Sequence, residues 1–369
     1  VRSAKREVAS KVKAISEGVL RSWKNLHEAV EFNLSNYPYL ADYAMDVKNS
    51  KLEIAKNYDY WVDRAVEKLR NSSVHAYFAK SGESARKIVG DIIGSGKIVV
   101  KAKSMVSEEI GLREHLIDGG NEVWETDLGE LIIQLAGDKP MHMIIPAIHY
   151  SEKQVRTILA KIGIRGSNAE ELAEEVRKFM RDKFLRADVG ISGCNAFSIE
   201  SGRIFLVENE GNIRLSTTLP KKYIALVSID KLLHDDTLAL KSILVQSAYF
   251  GTFPPAYINI NEKVEEQELH VIFIDNGRSS ARFVEQLSCV KCGRCQLECP
   301  VFQVMGNLWG GTVYGGPMGI GWNEIVGEHQ DIFISCLCGK CKYVCPVGID
   351  IPEIIRRLRV EEFRKRWRG

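Results

Sequence analysis

The chain has 369 residues, a formal net charge of +2 and a hydrophobic content of 45%. That size predicts two or three domains with ample core. The near-neutral charge gives no argument for nucleic acid, and no apolar run approaches the roughly eighteen residues that span a bilayer.

Residues 3–70 read as helices, with Val8, Val12, Ile15, Val19, Leu20 and Trp23 at helical spacing and a break at Pro38. The expectation is a helical arm packed on the next domain or on a partner. From residue 74 short apolar runs alternate with helical ones. Strands are predicted at 74–79, 97–101, 122–125 and 143–146. Helices are predicted at 82–93, 106–117, 128–135, 151–162 and 169–185. That alternation implies a parallel sheet covered on both faces. Beyond Asp188 the runs V-G-I-S, R-I-F-L-V, I-R-L-S-T and Y-I-A-L-V-S-I read as strands. A helix over 236–249 follows, then strands over 256–260 and 270–274. The glycine-dense stretch 306–321 reads as a packed loop, because Trp309, Tyr314, Pro317 and Trp322 punctuate it. The end, 354–369, is basic: Arg356, Arg357, Arg359, Arg364, Lys365, Arg366 and Arg368 suit a solvated helix. Docking to an acidic partner or peripheral association with anionic lipid is the alternative.

Eight of the nine cysteines lie between 289 and 345. Cys289, Cys292, Cys295, Cys299 and Pro300 form C-x2-C-x2-C-x3-C-P, the run that holds a [4Fe–4S] cluster in bacterial ferredoxins. Cys336, Cys338, Cys341, Cys345 and Pro346 end in the same way but begin irregularly. A cubane needs a thiolate at each of four iron corners, and three closely spaced cysteines cannot reach the fourth. In two-cluster ferredoxins the Cys before Pro therefore ligates the other cluster. This assigns Cys289, Cys292, Cys295 and Cys345 to cluster one, and Cys299, Cys336, Cys338 and Cys341 to cluster two. Disulfides would need an oxidising compartment, and zinc favours isolated C-x2-C pairs. No secretory leader is visible, and oxygen-sensitive clusters with the lone thiol of Cys194 suit a reducing cytoplasm, the expected location.

Polar clusters fall at predicted strand ends, where open α/β sheets put ligands. They include Lys103, Ser104 and Glu108, then Asp127, then Ser192-Gly-Cys-Asn195, then Glu210 and Asn212. Each has a plainer reading: Ser104 and Ser107 as helix caps, Asn209 to Asn212 as a hairpin turn, His142 and His149 as core or surface histidines, Cys194 as a buried thiol. No G-x-G-x-x-G or Walker loop supports nicotinamide, flavin or nucleotide binding.

The strings K-S-M-V-S-E-E-I, E-T-D-L-G-E-L-I-I-Q-L-A-G, G-I-S-G-C-N, N-E-G-N-I-R-L-S-T-T-L-P-K and I-D-N-G-R-S resemble the lactate-utilisation (LUD) domain. Joined to C-V-K-C-G-R-C and Y-G-G-P-M-G, they resemble the iron–sulfur subunits of L-lactate utilisation systems, the LutB family. The resemblance covers residues 70–352. It implies an α/β LUD domain of the NagB/RpiA/CoA-transferase kind over 71–280 and a dicluster domain of the α-helical-ferredoxin type over 281–355. The helical arm at 1–70 and a basic tail at 356–369 complete the division. It further implies a non-catalytic electron-transfer subunit that works with CCG-domain, second LUD or flavin-binding subunits to oxidise L-lactate or a related 2-hydroxy acid. Two alternatives stand beside it. In one the LUD domain is itself catalytic, with Glu210 or Glu108 as base in acyl or sugar-phosphate chemistry. In the other the clusters are structural and the chain is a scaffold. The chain departs from the family pattern at Cys336, where the family carries Ser, and in lacking His-Gly pairs after Pro300.

Overall fold

The computed structural model describes residues 2–328 and 331–367, with side chains placed for 9–328 and 331–365. Three helices open the chain: α1 (Arg2–Asn36), α2 (Leu40–Ala55) and α3 (Tyr58–Asn71). The apolar stripe of α1 is buried through Ile15, Val19 and Val30. It packs on helix Asp236–Phe250 and on helix Pro300–Met305 of the cysteine region.

Ten strands follow: β1 (His75–Ala79), β2 (Ile98–Lys101), β3 (Glu122–Glu125), β4 (Val189–Ser192), β5 (Ala196–Ser198), β6 (Ile204–Glu208), β7 (Lys222–Ser228), β8 (Leu232–Leu233), β9 (Tyr257–Asn261) and β10 (Glu268–Ile274). Six form one sheet in the order β1-β10-β7-β4-β2-β3, parallel throughout. Its central strands are continuous apolar runs because both faces are covered. One face carries Val89, Ile93, Leu112 and Leu116 from helices Gly82–Ile93 and Leu112–Asp118. The other carries Tyr58, Val62 and Leu69 of α3, together with Tyr314 and Trp322 from the cysteine region. The remaining four strands form a second sheet, β8-β5-β6-β9.

Four sequence expectations change. Residues 143–146 are not a strand but a chain of bends and turns. Nδ1 of His142 accepts the backbone N–H groups of Ile144 and Ile145 at 3.0 and 3.1 Å, donors that a strand would give to its neighbour. The run I-R-L-S-T belongs to helix Asn212–Thr218, and the expected hairpin at 209–212 is that helix's approach. Gly211 turns the chain at φ 78, and the Glu208 carboxylate accepts the N–H of Arg214 at 2.9 Å. Strand β6 then pairs with β9, so no hairpin partner is left for 213–217. The helix expected at 106–117 is two, Met105–Glu109 and Leu112–Asp118, divided at Gly111 with φ 61. The glycine-dense stretch is packed, as its aromatic residues require, but its end forms helix Gly316–Val326 with Pro317 in the first turn. Trp309, Tyr314 and Trp322 are each 1% exposed or less.

The basic terminus is helix Ile351–Trp367. Ile351, Ile354, Ile355 and Leu358 are buried, while Arg359 donates to the carbonyls of Ile332 and Ser335. Arg368 and the side chain of Arg366 lie outside the described residues. No described helix is long and apolar enough to cross a membrane.

Gly190 in β4 lies where a Cβ would overlap the carbonyl oxygen of Ser216. Backbone cannot yield there as a flexible side chain can. Gly190→Ala should therefore cost about 3 kcal/mol, read as a lower urea midpoint or as loss of soluble protein.

Candidate metal centre and the adjoining cavity

Each cysteine group is built by the same local device. Lys291 and Gly293 take φ 57 and 78, and Leu337 and Gly339 take φ 53 and 83. These left-handed residues curl the chain inward, and Gly293 and Gly339 then start the short helices Arg294–Leu297 and Lys340–Tyr343 that carry Cys295 and Cys341. The result is two small cavities. Cys289, Cys292, Cys295 and Cys345 line the first, with Val290, Met318, Val347 and Ile349 among its apolar walls. Cys299, Cys336, Cys338 and Cys341 line the second, with Trp309, Pro317 and Ile355. The glycine-dense segment passes between them, giving Met318 to one and Trp309 to the other.

These donor sets suit clusters rather than single ions. Among the described residues no three His, Cys, Asp or Glu converge closely enough to hold one metal ion. Burial pushes the thiols of Cys292, Cys295 and Cys345 up, that of Cys299 to about 11 and that of Cys341 to about 12. Thiolates in such surroundings need a strong local positive charge, which ligated iron supplies. Backbone donors already face the sulfurs: Lys291 N to Cys289 Sγ at 3.3 Å and Ile349 N to Cys345 Sγ at 3.4 Å.

Around the first cavity lies a buried charge network that joins the two halves of the chain. The Arg278 guanidinium is fully buried between Asp230 (2.5 Å) and Glu109 (2.7 Å). Asp230 also takes the Lys291 ammonium at 2.9 Å, and Tyr314 donates to Glu109 at 2.5 Å. Lys51 of α2 donates to the Cys289 carbonyl at 2.8 Å. Trp322 sits under both Lys291 and Arg278, at 4.1 and 5.3 Å. Burial would raise the Asp230 and Glu109 carboxyls, but the cations around Asp230 and the Arg278 contact with Glu109 outweigh it and hold both below the usual carboxylate range. For Lys51 burial wins, lowering its ammonium to about 8.

Beside this network, at the carboxyl ends of β2, β4 and β7, is a cavity of about 320 Å³. That size is within the range of small-molecule sites, and its position is where open parallel sheets bind ligands. Of the sequence candidates, Lys103, Ser104, Asp127, Glu210 and Asn212 all line it. Ser104 and Asp127 also cap the helices that follow them, so the cap and the site readings both hold as geometry. Lys103 donates to the Ile144 carbonyl at 2.6 Å. Burial, then Asp127, raises the Glu210 carboxyl. Glu108 does not reach the cavity: it is held at 3.0 Å by the buried Lys101, which also pairs with Glu125. Cys194 lines the wall, donating to the Ala196 carbonyl at 2.9 Å, and burial lifts its thiol to about 12, which disfavours a nucleophile. His142 is wholly buried and lowered to about 3 by burial and then Lys103; His149 pairs with Asp138. Lys231 and Lys291 also line the cavity and were not among the candidates. The signal for Lys231 was present in sequence: Y-I-A-L-V-S-I-D-K puts a charged pair just past the end of the most buried strand.

Family profiles match residues 62–274 to the LUD domain and 285–349 to the 4Fe-4S dicluster domain. A lactate utilization protein B of Bacillus licheniformis is 35% identical over 357 residues, covering 91% of this chain and 74% of its own. One of Bacillus cereus is 33% identical over 365 residues, covering 94% and 76%. The chain belongs to the lactate utilization protein B family. Its architecture is that of the family's two domains, a LUD α/β domain behind N-terminal helices and a ferredoxin-type dicluster domain. The crystal structure of a DUF162 family protein from Deinococcus radiodurans aligns with 58% of this chain and 96% of its own at 12% identity. Its TM-score is 0.31, too slight a likeness to carry an argument. The cofactors of this family member are two [4Fe–4S] clusters, and the two thiol-lined cavities offer each one a wall of donors.

Arg278→Met leaves Asp230 and Glu109 buried without the guanidinium that both bind. It should cost about 3–5 kcal/mol, read as a lower urea midpoint under anaerobic conditions, whereas Arg177→Met on the solvent face of helix Ala169–Arg186 should change stability by less than about 0.5 kcal/mol.

Proposed function

We propose that the chain is the iron–sulfur electron-transfer subunit of a system that oxidises L-lactate, or a related 2-hydroxy acid, to the 2-oxo acid. The reading rests on the names of its relatives together with one observation: two thiol-lined cavities, the first beside the LUD domain and the second with two of its four cysteines exposed. At the second, Cys336 and Cys338 are exposed and Cys299 and Cys341 buried; at the first, Cys292 is buried and Cys289, Cys295 and Cys345 are half-buried. In a relay the exposed thiols of the second group would put an outer centre within reach of a partner, with the first group holding the inner one.

In this reading Cys289, Cys292, Cys295 and Cys345 hold the inner cluster. Cys299, Cys338 and Cys341 hold the outer one, with a fourth ligand from the Ser335–Cys336 step. Bound there, each cluster carries one electron at a time, so the pair accommodates the two released when a 2-hydroxy acid becomes a 2-oxo acid with loss of two protons. The chain's own residues tune and insulate the path. Lys51 and Lys291 place cations beside the Cys289–Cys292 loop, and backbone N–H groups at Lys291 and Ile349 face sulfur. Both effects favour the more reduced, more negative state. Met318, Val347 and Ile349 keep water from the inner cavity. Partner subunits with CCG, LUD or flavin-binding domains would supply substrate oxidation and accept or deliver the electrons, with the exposed rim around Cys336 and Tyr343 as the contact. Tyr343 is 91% exposed, an unusual state for so large a ring in the middle of a packed domain.

Potentiometric EPR on anaerobically purified protein carrying roughly eight irons per chain tests the relay. Two reducible centres with mutual broadening are expected, and Cys292→Ala should remove one of them and abolish lactate-dependent reduction in the reconstituted system. Clusters that stay oxidised down to the potential of dithionite, or unchanged turnover in Cys292→Ala, would make them structural.

A further inference from the structure

The LUD cavity holds an unpaired cation. Lys231 is 8% exposed and lines the cavity; among the described residues its ammonium makes no hydrogen bond or ion pair, and Asp230, already held by Arg278 and Lys291, acts on it only from beyond contact distance. The neighbouring cations are already engaged, Lys103 by the Ile144 carbonyl and Lys291 by Asp230. Burial, then Lys291 and Lys51, lowers the Lys231 ammonium to about 7. A buried ammonium without a partner is costly, and an anion arriving in the cavity would remove that cost. The carboxylates of Asp127 and Glu210 also line the cavity, and Glu210, raised by burial and by Asp127, suits a hydrogen bond to a hydroxyl or carbonyl. One wall, Lys291, is the chain between Cys289 and Cys292.

We infer that the LUD cavity binds a small 2-hydroxy or 2-oxo carboxylate, its carboxylate on Lys231 and its second oxygen toward Glu210, against the loop that holds the inner cluster. The choice of acid rests on the lactate reading above; the anion site itself rests on Lys231. Such a ligand would bring negative charge beside the inner cluster and lower its potential, coupling occupancy of the cavity to the redox state of the relay.

Calorimetric titration of the cluster-loaded protein with L-lactate, pyruvate, acetate and inorganic phosphate tests this. One site per chain is expected for lactate or pyruvate. Binding should weaken at least tenfold in Lys231→Met at unchanged iron content, recover in part in Lys231→Arg, and stay unaltered in the surface variant Lys24→Met. Saturating ligand should move the inner cluster's midpoint to lower potential. Absence of binding by all four anions, or binding indifferent to Lys231→Met, overturns the site. Binding of phosphate or acetate alone overturns the 2-hydroxy-acid class. Neither result touches the relay, which stands or falls on cluster reduction.

A separate observation bears on the outer cluster. Aligned on Cys292 and Cys338, the two groups repeat residue by residue: Lys291 with Leu337, Gly293 with Gly339, each pair at matching positive φ. In that register Ser335, not Cys336, stands opposite Cys289. The hydrogen bonds agree: Leu337 N donates to Ser335 Oγ at 3.2 Å as Lys291 N donates to Cys289 Sγ at 3.3 Å. Ser335 also lines the second cavity. Cys336 falls at the place of Val290, which explains its one-residue spacing. The geometry points to Ser335 Oγ as the fourth ligand of the outer cluster, with Cys336 beside it. Iron content and the EPR and Mössbauer spectra of Ser335→Ala and Cys336→Ala decide. Ser335→Ala should alter the outer cluster's spectrum or shed iron, Cys336→Ala should leave both as they were, and Ser335→Cys should raise the outer cluster's potential. The opposite pattern in the two alanine variants would return the corner to Cys336.

Discussion

The buried guanidinium of Arg278 is the interaction on which the rest of the molecule depends. It comes from the turn that closes the parallel sheet after β10. It binds Asp230, at the end of β7, and Glu109, from the helix after β2, while Asp230 reaches Lys291 inside the first cysteine loop. Four elements distant in sequence are thus fixed by charges that have no water to fall back on. Removing one partner leaves the others uncompensated, so the network specifies a single arrangement even where its net contribution to stability is small. That arrangement sets the inner cysteine cavity against the carboxyl end of the LUD sheet.

This placement joins two features that would otherwise be independent. A ferredoxin-type module alone moves electrons, and an open α/β sheet alone offers a pocket at its carboxyl edge. Here one residue serves both features: the Lys291 side chain lines the pocket, and its backbone N–H faces the sulfur of Cys289, a proposed ligand of the inner cluster. Aromatic residues Tyr314 and Trp322 fill the space beneath and remove water from the charges. The outer cavity lies beside the helix Ile351–Trp367, with Cys336 and Cys338 exposed at its rim.

What was legible in the sequence is what chain proximity decides. The spacing of Cys289, Cys292, Cys295 and Cys299 states its chemistry within a dozen residues, and the β–α alternation follows from period and length of apolar runs. The cavity candidates Lys103, Ser104, Asp127, Glu210 and Asn212 were found because strand ends are found. What was not legible depends on contacts that only the fold creates. Residues 143–146 have a strand's composition, but the His142 ring takes their donors. Ile213 to Thr217 have a strand's propensity, but Gly211 and Glu208 start a helix there. Glu108 sits one turn from the cavity and is claimed by Lys101. The importance of Lys231 lies in the lack of a direct hydrogen-bond or ion-pair partner for its ammonium among the described residues, which no pattern of letters records. The irregular second cysteine group became readable only when its backbone was set on the first, which put Ser335 in register with Cys289.

The account's central claim is that the LUD cavity and the inner cluster form one functional unit. The most direct measurement is electron–nuclear double resonance on the reduced, cluster-loaded protein with carbon-13-labelled pyruvate or L-lactate. The account predicts a resolved coupling between the labelled carbon and the inner cluster, absent in Lys231→Met and absent when Cys292→Ala removes that cluster. A ligand that binds with no coupling, or a coupling that survives both substitutions, would contradict it.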